Sequence, residues 1–158
     1  MATARPLDEL ERVVLAAWLA SNAEGRLFFF QPVVDQRHAF RAASRMQHLV
    51  PDRLDLIRAA LLHDVGKRHS GLGIIRRSLA SASAKLRLPL GGRHATYFQH
   101  GPLGAEELQV LGCEPIVVDF ARWHHDERPT SISAEDWRLL ETADEPGKPP
   151  DTRSKAIR

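Results

Sequence analysis

The stretch Leu61-Leu62-His63-Asp64-Val65-Gly66-Lys67 constrains this chain more than any other, because it carries a carboxylate out of a run of leucines. Helical spacing over about 52–65 places Leu54, Ile57, Leu61 and Asp64 on one face. An ionised carboxylate buried on such a face is costly unless a cation or a set of hydrogen bonds compensates it. The adjacent His63 is a natural companion ligand. The plainer alternative is that the pair merely ends the helix, with Gly66 as its C-terminal stop and Lys67 at the favourable end of the helix dipole.

Apolar periodicity predicts helices along the rest of the chain and no convincing strand, so the expected fold is all-α, a compact multi-helix bundle. Leu7, Leu10, Val13, Val14, Ala17 and Trp18 mark a first helix ending near Ser21 to Gly25, and Leu27-Phe28-Phe29-Phe30 reads as an apolar loop over the core. Asp35 is placed to cap a second helix reaching about Leu49, with His38 on its inward face. Val50-Pro51-Asp52 then breaks the chain before the His63-Asp64 helix.

Beyond Lys67, a turn at Ser70 to Gly73 precedes a basic helix over about 74–86, followed by a loop with His94, Tyr97 and Gln99. The next helix follows His100, with Leu108 and Leu111 inward and Gly112 at its end. Pro115 opens another, on which Val117, Phe120, Ala121 and His124 share a stripe and His125 sits about 100° round. Ser133 and Asp136 resemble a capping box for a last helix, where Trp137, Leu140 and Asp144 recur at helical spacing.

The 158 residues suit one domain, read here as 1–145, with an irregular or disordered tail over 146–158 that is rich in proline. Met1 to Glu11 lacks the pattern of a secretory signal, and the longest apolar run, Val13 to Ala20, is too short to span a bilayer. The single cysteine, Cys113, forms no internal disulfide. These features suit a cytoplasmic protein without a membrane partner. Net charge is only +2, so nucleic acid is not favoured, yet no acidic residue falls between Asp64 and Glu106 while seven lysines and arginines do. Such a segment would attract anionic, above all phosphorylated, substrates, or it is simply a solvated basic face.

The order His38, His63-Asp64-x-Gly66-Lys67, His100-x-x-x-Gly104-Ala105, His124-His125, Asp144 resembles the HD superfamily of metal-dependent phosphohydrolases across about 35–144. It is most similar to the branch with two metals, related to HD-GYP domains. It departs from those domains in reading Asp126-Glu127-Arg128-Pro129 after His125, without the Gly-Tyr-Pro signature, and in having His38 where they often carry Glu. The resemblance implies two divalent ions, Fe or Mn before Zn or Ni. His38, His63, Asp64 and Asp144 would hold one, and His100, His124 and His125 the other, with Asp64 bridging. It further implies hydrolysis of a nucleotide or another small phosphate ester by a metal-activated water, with Asp64 and Lys67 catalytic. Lys67, His94, Tyr97 and Arg128 are candidate substrate contacts; His48 and His69 match no family position.

Motifs for zinc hydrolases of the His-Glu-x-x-His type, for Pro-Cys-x-x-Cys deaminases, for P-loop NTPases and for Gly-x-Ser-x-Gly hydrolases are absent. Two rivals stand beside phosphoester hydrolysis. One is a di-iron oxygenase, since some relatives with similar ligands oxidise C–H bonds. The other is a binding module that senses nucleotides without turnover.

Overall fold

Asp8 opens the first helix with a reciprocal pair of bonds: its carboxylate accepts from Glu11 N at 3.0 Å, and the Glu11 carboxylate accepts from Asp8 N at 2.8 Å. This capping box starts α1 (Glu9–Trp18) in a computed structural model that describes residues 5–70 and 100–145. Ser21 caps α2 (Asn22–Phe29), Pro32 precedes α3 (Val33–Leu49), and α4 (Leu54–Leu62) runs into a 3-10 helix over Val65–Ser70. Then come α5 (His100–Val110), α6 (Pro115–Trp123) and α7 (Ala134–Asp144), the last capped by the Ser133 hydroxyl accepting from Asp136 N. The described residues form an all-α bundle without strands. The basic helix expected over 74–86, with His94, Tyr97 and the tail over 146–158, lies outside the described residues.

Helix α4 is the centre: it packs against α3, α6 and α7, and its residues Leu56 to Leu62 are all buried. Phe28, Met46, Leu108, Phe120 and Leu140 close around it. Each such side chain contributes about 1.5–3 kcal/mol by leaving water. A buried charge ties the periphery to it. Arg58 of α4 reaches the Glu24 carboxylate of α2 and that of Glu114, which precedes α6, while Glu24 also accepts from Ala20 N at 2.9 Å. Two carboxylates thus share one buried guanidinium, which fixes α2 against α4 and the start of α6.

Several expectations need correction. Leu10, Val13 and Val14 face solvent; α1 buries Leu7's neighbour stripe, Leu15 and Trp18, against the core. Leu27 to Phe29 are helical rather than a loop, because Ser21 supplies a cap and Glu24 an anchor, and of the aromatic run only Phe28 is fully buried. Leu54 and Leu111 are likewise exposed, Leu54 at the first position of α4 and Leu111 just past the end of α5.

The N-terminal segment is strapped to α3 by Arg37, which donates to the carbonyls of Arg5 and Pro6 and to both Glu11 oxygens. Hydrogen bonds from Arg37 and from the Asp8 backbone hold Glu11 down at about 2, from an ordinary 4.5. A carboxylate whose folded pKa is depressed adds stability above its unfolded value and loses it as pH falls through the folded one. The thermal stability gap between the wild type and Glu11→Gln should therefore be full at neutral pH and close between pH 4.5 and about 2. A gap unchanged by acid, measured by melting curves across that range, would contradict this.

Candidate metal centre

Six of the seven side chains that gather at the centre are carried at or beside helix ends. Helix α4 stops at Leu62, with His63 as its C-cap, and the chain tightens into the 3-10 turn, which turns Asp64 into the bundle and Lys67 beside it. His100 begins α5, His124 caps the end of α6 with His125 next, and Asp144 is the last residue of α7. His38 alone comes from mid-helix, on α3.

Glycines let these ends approach. A Cβ on Gly66 would lie 1.9 Å from the His100 carbonyl oxygen and 2.8 Å from Gly104 N; one on Gly101 would lie 2.9 Å from the carbonyl oxygens of Ala121 and Arg122. The 3-10 turn, α5 and α6 thus meet backbone to backbone. Gly66 is consequently a contact glycine, not a left-handed helix stop; among the described glycines only Gly112, at the end of α5, has positive φ.

The ligand-type atoms form two groups, each within 4.8 Å: His38, His63 and Asp144 in one, Asp64, His100, His124 and His125 in the other. Asp64 faces both. Its Oδ2 lies 3.3 Å from His63 Nε2 and 3.8 Å from His38 Nε2, while its Oδ1 lies 3.5 Å from His100 Nε2 and 3.3 Å from His124 Nε2. Asp144 Oδ1 is 2.7 Å from His38 Nε2 and 3.2 Å from His63 Nε2. Asp64, His63 and His100 are buried, whereas the His38 side chain is 40% exposed and His125 is open to solvent. His38 faces inward as its helical position predicts, with Nε2 on Asp144, while its partly exposed side chain forms part of the rim.

Orientation comes from backbone carbonyls. His63 Nδ1 lies 3.0 Å from the Ala60 oxygen and His124 Nδ1 lies 2.9 Å from the Ala121 oxygen, so each ring donates there and turns Nε2 inward. His100 Nε2 is 3.3 Å from His124 Nε2 and 3.1 Å from His125 Nε2. The rings of Phe120 and His63 meet at 5.6 Å, and Phe120 in turn stacks edge-on against Trp137, giving the centre an apolar floor.

Electrostatics sort these groups by charge. Burial opposes ionisation of Asp64, but His63 and Lys67 hold it well below the usual carboxylate range. Asp144 is likewise held down against its burial by His63 and His38. Burial depresses His63 too, yet the two carboxylates outweigh it and raise the imidazole to about 10. Burial lowers His124, and burial with neighbouring imidazoles takes His125 down to about 3. The raised His63 imidazole and the Lys67 ammonium on Asp64 Oδ2 set positive charge against the two carboxylates.

Such a set fits divalent ions. Asp64 Oδ1 and His63 Nε2 are buried without a hydrogen-bond partner among the described residues, and the Nε2 atoms of His100, His124 and His125 converge within hydrogen-bonding distance, where one cation would satisfy them together. Imidazole with carboxylate suits Fe, Mn, Zn or Ni rather than an oxygen-only ion.

Arg128 and the two further described histidines make contacts of their own. The Arg128 guanidinium donates to the Ile132 carbonyl at 2.5 Å and to that of Pro129, bracing the loop before α7. His48 contacts the Ser44 carbonyl and His69 the Glu107 carboxylate. Sequence reading passed over Phe120 as the floor of the centre, although its i, i+4 spacing to His124 carried that information.

An all-helical bundle with histidine and aspartate converging from five segments defines a class, and comparison supplies its family. The family model described as HD domain matches residues 36–158, so the chain belongs to the HD domain family. Its members are mostly metal-dependent phosphohydrolases. Searches of curated proteins and of solved structures found no match. No helix among the described residues is long and apolar enough to cross a membrane.

Proposed function

We propose that this protein is a metal-dependent phosphohydrolase acting on a nucleotide or another small phosphate ester, with two divalent ions held by His38, His63, Asp64, Asp144, His100, His124 and His125. The observation that carries the reading is the Asp64 carboxylate, whose two oxygens face two separate nitrogen-rich groups. Divalent ions supply an acidified water and neutralise phosphoryl charge. Five imidazoles and two carboxylates leave such a pair under-neutralised, and the surplus positive charge favours an anionic substrate.

The chain's own residues do the rest. Half-exposed His38 and exposed His125 mark the side from which a phosphate group enters. Phe120 keeps water from the opposite side. Lys67, mostly buried beside Asp64, presents an ammonium where charge grows on the phosphoryl oxygens as the ester P–O bond breaks and water's oxygen replaces it. The water's proton leaves with the alcohol or phosphate product.

Elemental analysis of protein purified without added metal, followed by a phosphoester panel with Mn, Fe, Zn and Ni in turn, tests this. Phosphate release that requires an ion and falls to background in chelator is expected. Protein loaded with metal but inert across mononucleotides, cyclic nucleotides and phosphomonoesters would remove the hydrolase reading.

A further inference from the structure

Helix α7 ends badly by itself. Its last turn, Glu141-Thr142-Ala143-Asp144, contains no basic residue and two acidic ones, followed by Glu145, at the end where the helix dipole is already negative. The missing cation comes from α3. Arg45 Nε donates to the Ala143 carbonyl at 2.6 Å, and its guanidinium also reaches the Asp144 carbonyl at 3.4 Å. Arg45 lies seven residues beyond His38, two turns along the same face of the same helix. Asp144 is therefore gripped at both ends by α3: its carboxylate by His38 at 2.7 Å, its carbonyl by Arg45.

We propose that Arg45 is a positioning residue for Asp144: by tying the last carbonyls of α7 to α3 it sets the reach of the Asp144 carboxylate toward His38 and His63, and so tunes one half of the metal centre and not the other. The proposal rests on the two-ion reading above. Among the described residues the Arg45 guanidinium bonds only to the end of α7, whereas the group of His100, His124 and His125 is built on α5 and α6.

The test compares the full chain as wild type, Arg45→Met, Arg45→Lys and Asp144→Asn, each loaded with Mn, by ions bound per chain, chelator competition and melting temperature. Arg45→Met should weaken one ion by about 10–100-fold, the usual cost of losing a partner that orients a ligand. That ion should be the one Asp144→Asn loses, with the other retained. Arg45→Lys, which keeps the charge and can reach one carbonyl, should recover part of the affinity, and it carries the test if the Met variant does not fold. Parallel weakening of both ions with a lowered melting temperature would mean a merely structural role and overturn the proposal; so would unchanged binding of both. If the wild type takes up no ion, the two-ion reading fails, and the positioning claim is decided by the His38 ring instead. Its Nε2 nitrogen resonance should lose its hydrogen-bonded shift in Arg45→Met and keep part of it in Arg45→Lys, and a resonance unchanged in both would refute it.

Discussion

Gly66→Ala should cost more than the same substitution at any other described glycine. The new Cβ would lie 1.9 Å from the His100 carbonyl oxygen and 2.8 Å from Gly104 N, both backbone atoms that cannot swing aside. Overpacking of this kind costs about 1–3 kcal/mol, and more where backbone must move. Here the backbone that moves carries His100 away from Asp64, now 3.5 Å apart. The variant should be destabilised by roughly 3 kcal/mol or more in denaturant titrations and should lose the ion held by His100, His124 and His125. Gly112→Ala is the control. Its φ of +74° strains alanine, but nothing lies within 4 Å, so it should cost about 1–2 kcal/mol and leave ion binding unchanged. Equal effects from the two substitutions would show that close packing at Gly66 is unimportant.

That contrast shows where sequence reasoning succeeds and where it stops. Inward-pointing His38, Asp64, His124 and Asp144 were legible because each falls on the apolar stripe of its helix, and His63 as the neighbour of Asp64. That all of these gather with His100 and His125 was suggested by a family pattern, since no periodicity relates residues on different helices. Gly66 was legible as a motif residue and illegible in its role: a helix stop and a contact glycine look alike until the partner backbone, here the first turn of α5, is in place. Helix α1 shows a second limit. Its apolar residues form two overlapping stripes, and it is tertiary contact, with Arg37 of α3 on Glu11 and Leu15 and Trp18 in the core, that leaves Leu10 and Val13 outside. The aromatic run Phe28 to Phe30 hid a helix for a similar reason. The buried Glu24–Arg58 pair that anchors it is a contact 34 residues apart in the chain.

Asp64→Asn should separate the fold from its chemistry most completely. The substitution keeps the shape of a side chain that is 1% exposed but removes the charge that both groups of imidazoles face. The group of His38 and His63 then keeps one carboxylate, that of Asp144, and His100, His124 and His125 keep none. Lewis-acid stabilisation by bound ions is worth several kcal/mol, and about 1.4 kcal/mol is a factor of ten in rate. Phosphoester turnover should therefore fall by on the order of a thousandfold or more. Stability gives an independent readout. Ions that bind only the folded chain stabilise it by about 2.7 kcal/mol at a hundredfold excess over their dissociation constant. Chelator should thus lower the melting temperature of the wild type, while Asp64→Asn should melt at the same temperature with and without it. If the variant keeps both the chelator response and its full complement of ions, Asp64 does not bridge the two groups. The shared oxygen pair would then be a consequence of helix packing, with each group binding, or failing to bind, independently of the other.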